Sequence, residues 1–193
     1  SKNLHEIHSN KIQNENTQIN FGETLDFTVD SIGDLLLNLT ITFDLEDNNN
    51  RVWETNAVPE TLFGLIDYVE ILCNDKTLQK ITGIWMYIYY LAYKNDSDNS
   101  AIFNSASASR LTNNRTISDV INKYTLHLPL PFWFSNDSES ALPIHAIQHE
   151  KISVIVKLNN FEKVTRNAFR SNFIIRKCIL LGEFIQLDIK EKQ

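Results

Sequence analysis

Residues 35–45 alternate along most of their length. Leu35, Leu37, Leu39, Ile41, Phe43 and Leu45 are apolar, and Asn38, Thr40, Thr42 and Asp44 between them are polar. Successive side chains of a strand point to opposite faces, so a period of two over this length specifies a long strand with one buried face. The spacing predicts that the odd-numbered residues from Leu35 to Phe43 are buried and that Asn38, Thr40 and Thr42 face away. Leu25, Phe27 and Val29 alternate with Thr24, Asp26, Thr28 and Asp30 and give a second strand just upstream. Ser31, Ile32, Gly33 and Asp34 read as the tight turn between them, with Gly33 free to take a positive φ.

The same logic extends along the chain. Residues 68–73 and 76–82 read as two strands around Asn74-Asp75, a hairpin turn. Tyr124, Leu126 and Leu128 alternate up to Pro129 and Pro131, where a regular central strand cannot continue. Ile152, Val154, Val156 and Leu158 mark another half-buried strand. Residues 173–177 and 179–189 supply the last two, with Gly182 as a bulge or bend. Residues 55–66 can open a short helix with Pro59 in its first turn, residues 85–93 read as a short buried helix after Gly83, and residues 116–119 as one helical turn. Residues 47–50 and 95–114 are polar, Asn-rich stretches without period, and read as exposed loops. About eight strands, broken by turns and long loops, indicate one all-β domain, an antiparallel sandwich or barrel.

Composition narrows the function classes. The chain has 193 residues, 42% of them hydrophobic and 22% charged, which suffices for an ordinary core without staples. Its formal net charge of −6 argues against a whole-domain nucleic-acid surface. Lys163, Arg166, Arg170, Arg176 and Lys177 cluster in sequence but read as a solvated face. Cys73 and Cys178 each sit in an apolar stretch as small hydrophobes, and two cysteines favour a reducing, intracellular site of synthesis over a disulfide scaffold. Residues 1–20 lack the apolar core of a signal peptide, and no window is apolar enough to cross a bilayer. Four Asn-x-Ser/Thr sequons, at Asn38, Asn95, Asn114 and Asn136, are discounted in so Asn-rich a chain.

An enzyme needs a constellation, and the residues offer none. The five glycines are scattered, so no phosphate loop forms, and neither a nucleophile elbow nor a CxxC pair is present. The best metal candidate is His145, His149 and Glu150. On a helix the two histidines share a face and could chelate zinc, whereas on a strand they lie about 13 Å apart. Pro143 and the following strand pattern favour the extended reading. His127 stands alone on its strand, so the histidine pair of a metal-binding jelly-roll enzyme is missing, and His5 and His8 fall in the polar N-terminal stretch. Asp44, Glu46 and Asp47 form a solvated acidic edge. Trp85, Tyr87, Tyr89, Tyr90 and Tyr93 could stack sugars, but such a group more often packs a core or a subunit interface. No catalytic residue, cofactor, cofactor-binding residue or metal ligand is assigned.

Four passages in order resemble one family. Phe21-Gly22-Glu23 with Ile32-Gly33-Asp34-Leu35-Leu36 is similar to the opening of the major capsid protein of nucleocytoplasmic large DNA viruses. Trp53 with residues 62–71 and Gly83-Ile84-Trp85 resembles that family's helix and strand that follow. Leu128-Pro129-Leu130-Pro131-Phe132-Trp133-Phe134-Ser135, followed by residues 141–150, is the most specific match, and residues 184–188 resemble the closing strand. Ile32 stands where the family commonly has arginine, and Lys190-Glu191-Lys192-Gln193 replaces its acidic-arginine run. The resemblance implies an eight-stranded jelly-roll sandwich with one or two short helices in its loops. Residues 1–20 are then an N-terminal arm and 21–193 a single roll, either the first half of a double roll or a single-roll component. It further implies a non-enzymatic structural protein forming homotrimeric capsomers of an icosahedral shell, placed in the virion after synthesis in the host cytoplasm. Neighbouring capsid proteins, minor capsid proteins and an inner viral membrane are the expected contacts, with no direct nucleic-acid contact. The rival class is a carbohydrate-binding or vertex module of the same fold. Phe132, Trp133 and Phe134 at the proline-marked corner are expected to divide between plugging the sandwich and meeting a partner.

Overall fold

A computed structural model describes residues 9–13, 19–29, 33–47, 61–92, 123–135, 139–147, 149–163 and 173–187. Among them are eight strands: β1 (Ser9–Gln13), β2 (Thr24–Thr28), β3 (Leu35–Asp47), β4 (Ile66–Cys73), β5 (Lys76–Thr82), β6 (Lys123–Pro129), β7 (Ile152–Leu158) and β8 (Phe173–Ile185). Helix α1 (Thr61–Leu65) precedes β4, and helix α2 (Gly83–Ala92) follows β5. The strands make two four-stranded sheets, ordered β1-β8-β3-β6 and β2-β7-β4-β5.

All pairings are antiparallel, and β1 lies beside β8, β2 beside β7, β3 beside β6 and β4 beside β5. That nesting is a single long hairpin rolled up, and the β3–β8 and β4–β7 pairs close each sheet. It is the jelly-roll arrangement. The tip of the hairpin is Asn74-Asp75, with φ of 46° and 64°. Two consecutive left-handed residues make the type of turn whose twist matches that of the flanking strands.

The core lies between the sheets. Leu25, Phe27, Leu39, Ile41, Phe43, Leu45, Leu126, Leu128, Val154, Val156, Ile175 and Leu180 are all buried there, each at the alternating positions of its strand. Fully burying a side chain of this size stabilises the fold by about 1.5–3 kcal/mol.

Several expectations change. In β3 the alternation begins one residue out of phase: Leu36 is buried, whereas Leu35 and Leu37 are half-buried. The register against β8 slips between Leu36 and Asn38, so Leu37 is an inserted residue and the phase is restored at Leu39. Thr42 turns away from the core yet is itself buried, sitting in register between Ile179 and His127 and sharing a 2.9 Å hydrogen bond with His127 Nδ1. The two C-terminal strands are one, because the slip between Asp44 and Leu45 makes Arg176 the inserted residue and keeps both Ile175 and Cys178 inward. Gly182 therefore lies within an unbroken strand. Within residues 1–20, strand β1 lies beside β8, and buried Ile19 bridges to Ile175. Gly33 does not have positive φ; instead a Cβ there would meet Phe184 Cβ at 2.6 Å. Both cysteines are free. The readings of residues 48–60 and 95–122 lie outside the described residues.

Candidate functional site

The chemistry-bearing residues singled out in the sequence do not converge. His145 lies in a 3-10 turn (Ile144–Ile147), not in the expected extended segment. Its backbone N–H donates to the Asp34 carbonyl oxygen at 3.0 Å, and its ring Nδ1 lies 3.0 Å from the same oxygen. His149 and Glu150 are exposed in the turn beyond. Among the described residues no three His, Cys, Asp or Glu side chains gather to hold a metal. In the acidic edge, Asp44 accepts from Thr125 Oγ1 at 2.7 Å, and Glu46 pairs with Arg176 at 2.7 Å. Arg176 is thus tied to a neighbouring strand; Arg166 and Arg170 lie outside the described residues.

Asp34 makes a contact that the sequence does not announce. Its side chain is buried, its Oδ2 accepts from the Leu187 N–H at 2.8 Å, and its own N–H donates to the Ile185 carbonyl at 3.0 Å. With the Leu36–Leu142 bridge, this ties together the start of β3, the 142–147 turn and the end of β8. A buried acceptor satisfied by backbone donors is a structural clamp.

The other cluster is built on the side of the sandwich where β5 and β6 are the outer strands of their sheets. Helix α2 is the described part of the chain that connects them. Thr82 caps it, accepting from the Trp85 N–H at 3.1 Å. Gly83 permits a close start, because a Cβ there would meet the carbonyl oxygens of Ile66 and Phe63 at 2.1 and 2.3 Å. One face of α2, with Met86 and Tyr90, enters the core, and Phe63 meets the rings of Tyr87 and Tyr90 edge-on or tilted. Tyr90 donates its hydroxyl to the Pro129 carbonyl at 2.8 Å, which fastens the helix to the end of β6. Burial, with a smaller contribution from Tyr89, pushes the Tyr90 phenol well above its ordinary pKa.

The opposite face of α2 is bare. Ile84, Trp85, Ile88 and Leu91 are exposed, and the Trp85 ring stacks on Tyr89 at 5.3 Å. The proline-marked corner completes the same side. Phe132 and Phe134 are buried and stack at 5.6 Å, plugging the sandwich, whereas Trp133 between them is exposed. The Trp133 N–H donates to Gln79 Oε1 at 3.0 Å, so this corner is held against β5. The aromatic group of α2 therefore divides: Tyr90 belongs to the core, Tyr87 and Tyr89 pack partly against it, Trp85 lies at the surface, and Tyr93 falls outside the described residues. The signal was present in the spacing of Ile84, Ile88 and Leu91, but Met86, Tyr87 and Tyr90 on the other face hid it.

Comparisons with known proteins agree with this architecture. Probable capsid protein 4 of Acanthamoeba polyphaga mimivirus is 25% identical over 94% of this chain and 37% of its own length. The major capsid protein of Trichoplusia ni ascovirus 2c is 28% identical over 77% of this chain and 34% of its own length. The chain thus spans about a third of the length of these relatives. Among solved structures, the PBCV-1 virus capsid superposes over 100% of this chain and 45% of the other, with a TM-score of 0.75 at 18% identity. The Faustovirus major capsid protein superposes over 99% of this chain and 56% of the other, with a TM-score of 0.65 at 9% identity. The family described as "Major capsid protein N-terminus" matches residues 5–175. By that match, and by the rolled pairing of its eight strands, the chain belongs to the major capsid protein N-terminal family.

Proposed function

We propose that this chain is a structural component of a viral shell, the jelly-roll portion of a major capsid protein that assembles with copies of itself into trimeric capsomers of an icosahedral capsid. The family match across residues 5–175 carries this reading. The physical design supports it. Two packed sheets make a rigid block, and β1–β8 and β2–β7 pairing sets the first described strands against the last. Assembly then needs only modest side contacts repeated by symmetry. Residues 1–20 then serve as an N-terminal arm whose strand β1 lies along β8, and residues 21–193 as the single roll.

The protein acts without catalysis, resides in the virion and is made in the host cytoplasm. Its partners are neighbouring capsid subunits, with minor capsid proteins or an inner viral membrane beneath, and nucleic acid is not contacted directly. Quantitative mass spectrometry of purified particles tests the reading. The chain is expected among the most abundant particle proteins and to stay with the shell when internal contents are released. Recovery only from the infected-cell fraction, with none in particles, would overturn it.

A further inference from the structure

Asp34 is the only buried carboxyl side chain among the described residues, with 8% exposure. It stands at a corner where three segments meet: the start of β3, the 3-10 turn Ile144–Ile147 and the end of β8. Its polar groups divide among them. The N–H donates to the Ile185 carbonyl at 3.0 Å. The carbonyl oxygen accepts from the His145 N–H at 3.0 Å, with the ring Nδ1 at the same distance. Oδ2 accepts from the Leu187 N–H at 2.8 Å. The tie to Leu187 thus runs through a group that can take up a proton.

We propose that Asp34 is an acid-opened latch. Ionised, it holds residues 186–187 against the corner; protonated, it lets them go while the other ties keep the corner closed. A carboxylate only accepts hydrogen bonds, and bonds to a charged acceptor are roughly twice as strong as neutral ones. The Leu187 tie is therefore at full strength with the carboxyl ionised, and it weakens as pH falls and the carboxyl takes up its proton. The remaining ties do not weaken in acid. Those to Ile185 and to the His145 N–H are backbone bonds, and Leu36 and Leu142 exchange two more at 2.8 and 2.9 Å. A carbonyl oxygen cannot donate, so the His145 Nδ1 facing it carries a hydrogen, and an imidazolium keeps that hydrogen. Acid acts on one tie of the corner.

The segments around the corner bring few other ionisable groups. Strand β3 has none before Asp44. Segment 139–147 brings His145 and, at its start, Glu139, and His149 and Glu150 are exposed beyond it. Near its end β8 brings Glu183, which accepts from Asn38 Nδ2 at 2.9 Å, and the Gln186 and Leu187 that follow are uncharged. Gly33 contributes closeness rather than charge, since a Cβ there would meet Phe184 Cβ at 2.6 Å.

Amide hydrogen exchange of the chain tests this, measured by NMR in steps from about pH 7 to about pH 3.5 and expressed as protection relative to the intrinsic rate. In the wild type the Leu187 N–H is expected to lose about tenfold in protection at a pH where the Asp34 and His145 N–H groups keep theirs. Asp34→Asn supplies a neutral acceptor that does not titrate, so its Leu187 protection should show no acid step. Asp34→Ala removes the acceptor and should leave Leu187 unprotected throughout. Loss of protection at all three amides together overturns the latch, because the corner then opens only with the roll. A wild-type Leu187 indifferent to pH overturns it as well, and so does an equal acid step in Asp34→Asn. The wild-type comparison of three amides decides by itself where a variant fails to fold. None of this rests on the capsid reading, which fails separately, by absence of the chain from purified particles.

Discussion

Single side chains in this roll differ sharply in how much depends on them. Leu39 has no exposure and sits where β3 regains its phase. Replacing it by Asp buries a carboxylate without a partner, and we expect a loss of about 4 kcal/mol or more in urea denaturation. Tyr90 holds α2 through one hydroxyl. Tyr90→Phe keeps the ring but strips the Pro129 carbonyl of its donor, and should cost about 1–2 kcal/mol. The same phenol links stability to pH. Its folded pKa is raised, so its contribution is complete below the unfolded value near 10 and declines as pH rises past it. The wild type should lose stability above about pH 10 more steeply than Tyr90→Phe, as followed by denaturant titration across that range. At this scale the sequence was legible where chemistry alternates along a strand. It was silent on the His145–Asp34 contact, whose partners are 111 residues apart and which no local pattern encodes.

Elements show a different boundary between what local pattern specifies and what pairing decides. Asn74-Asp75 was readable as a turn because few residues other than Gly, Asn and Asp adopt left-handed φ readily. Asp75→Gly should stabilise the fold by about 0.5–1 kcal/mol, read as a higher denaturation midpoint at unchanged slope. Asn74→Ala should destabilise it by about 1–3 kcal/mol, read as a lower midpoint, since it also removes the acceptor for the Lys151 N–H at 2.8 Å. The two bulges of the β3–β8 pair were not readable. Leu37 and Arg176 each add one residue to a strand, and only alignment with the partner reveals which residue is extra. Residues 173–177 and 179–189 consequently read as two strands, although the ladder runs through Cys178. The short β1 escaped for a related reason: its assignment comes from lying beside β8, not from a strong apolar period of its own. Helix α2 was legible as a helix, but its two apolar faces, one buried and one bare, looked alike in sequence.

For the whole molecule, the pairings β1–β8, β2–β7, β3–β6 and β4–β5 reduce the topology to one rolled hairpin, and the sequence match places that roll in a capsid family. The sandwich class and strands β2 to β8, the last of them read as two, followed from periodicity, whereas β1 and the order of strands within each sheet needed the structure. The shell role joins these two lines, and cryo-electron microscopy of the purified particles tests it most directly. The account predicts that capsomer density contains this roll, recognisable by its two sheets ordered β1-β8-β3-β6 and β2-β7-β4-β5 and by α2 along the side between β5 and β6. Well-resolved capsomers into which these eight strands do not fit would contradict it.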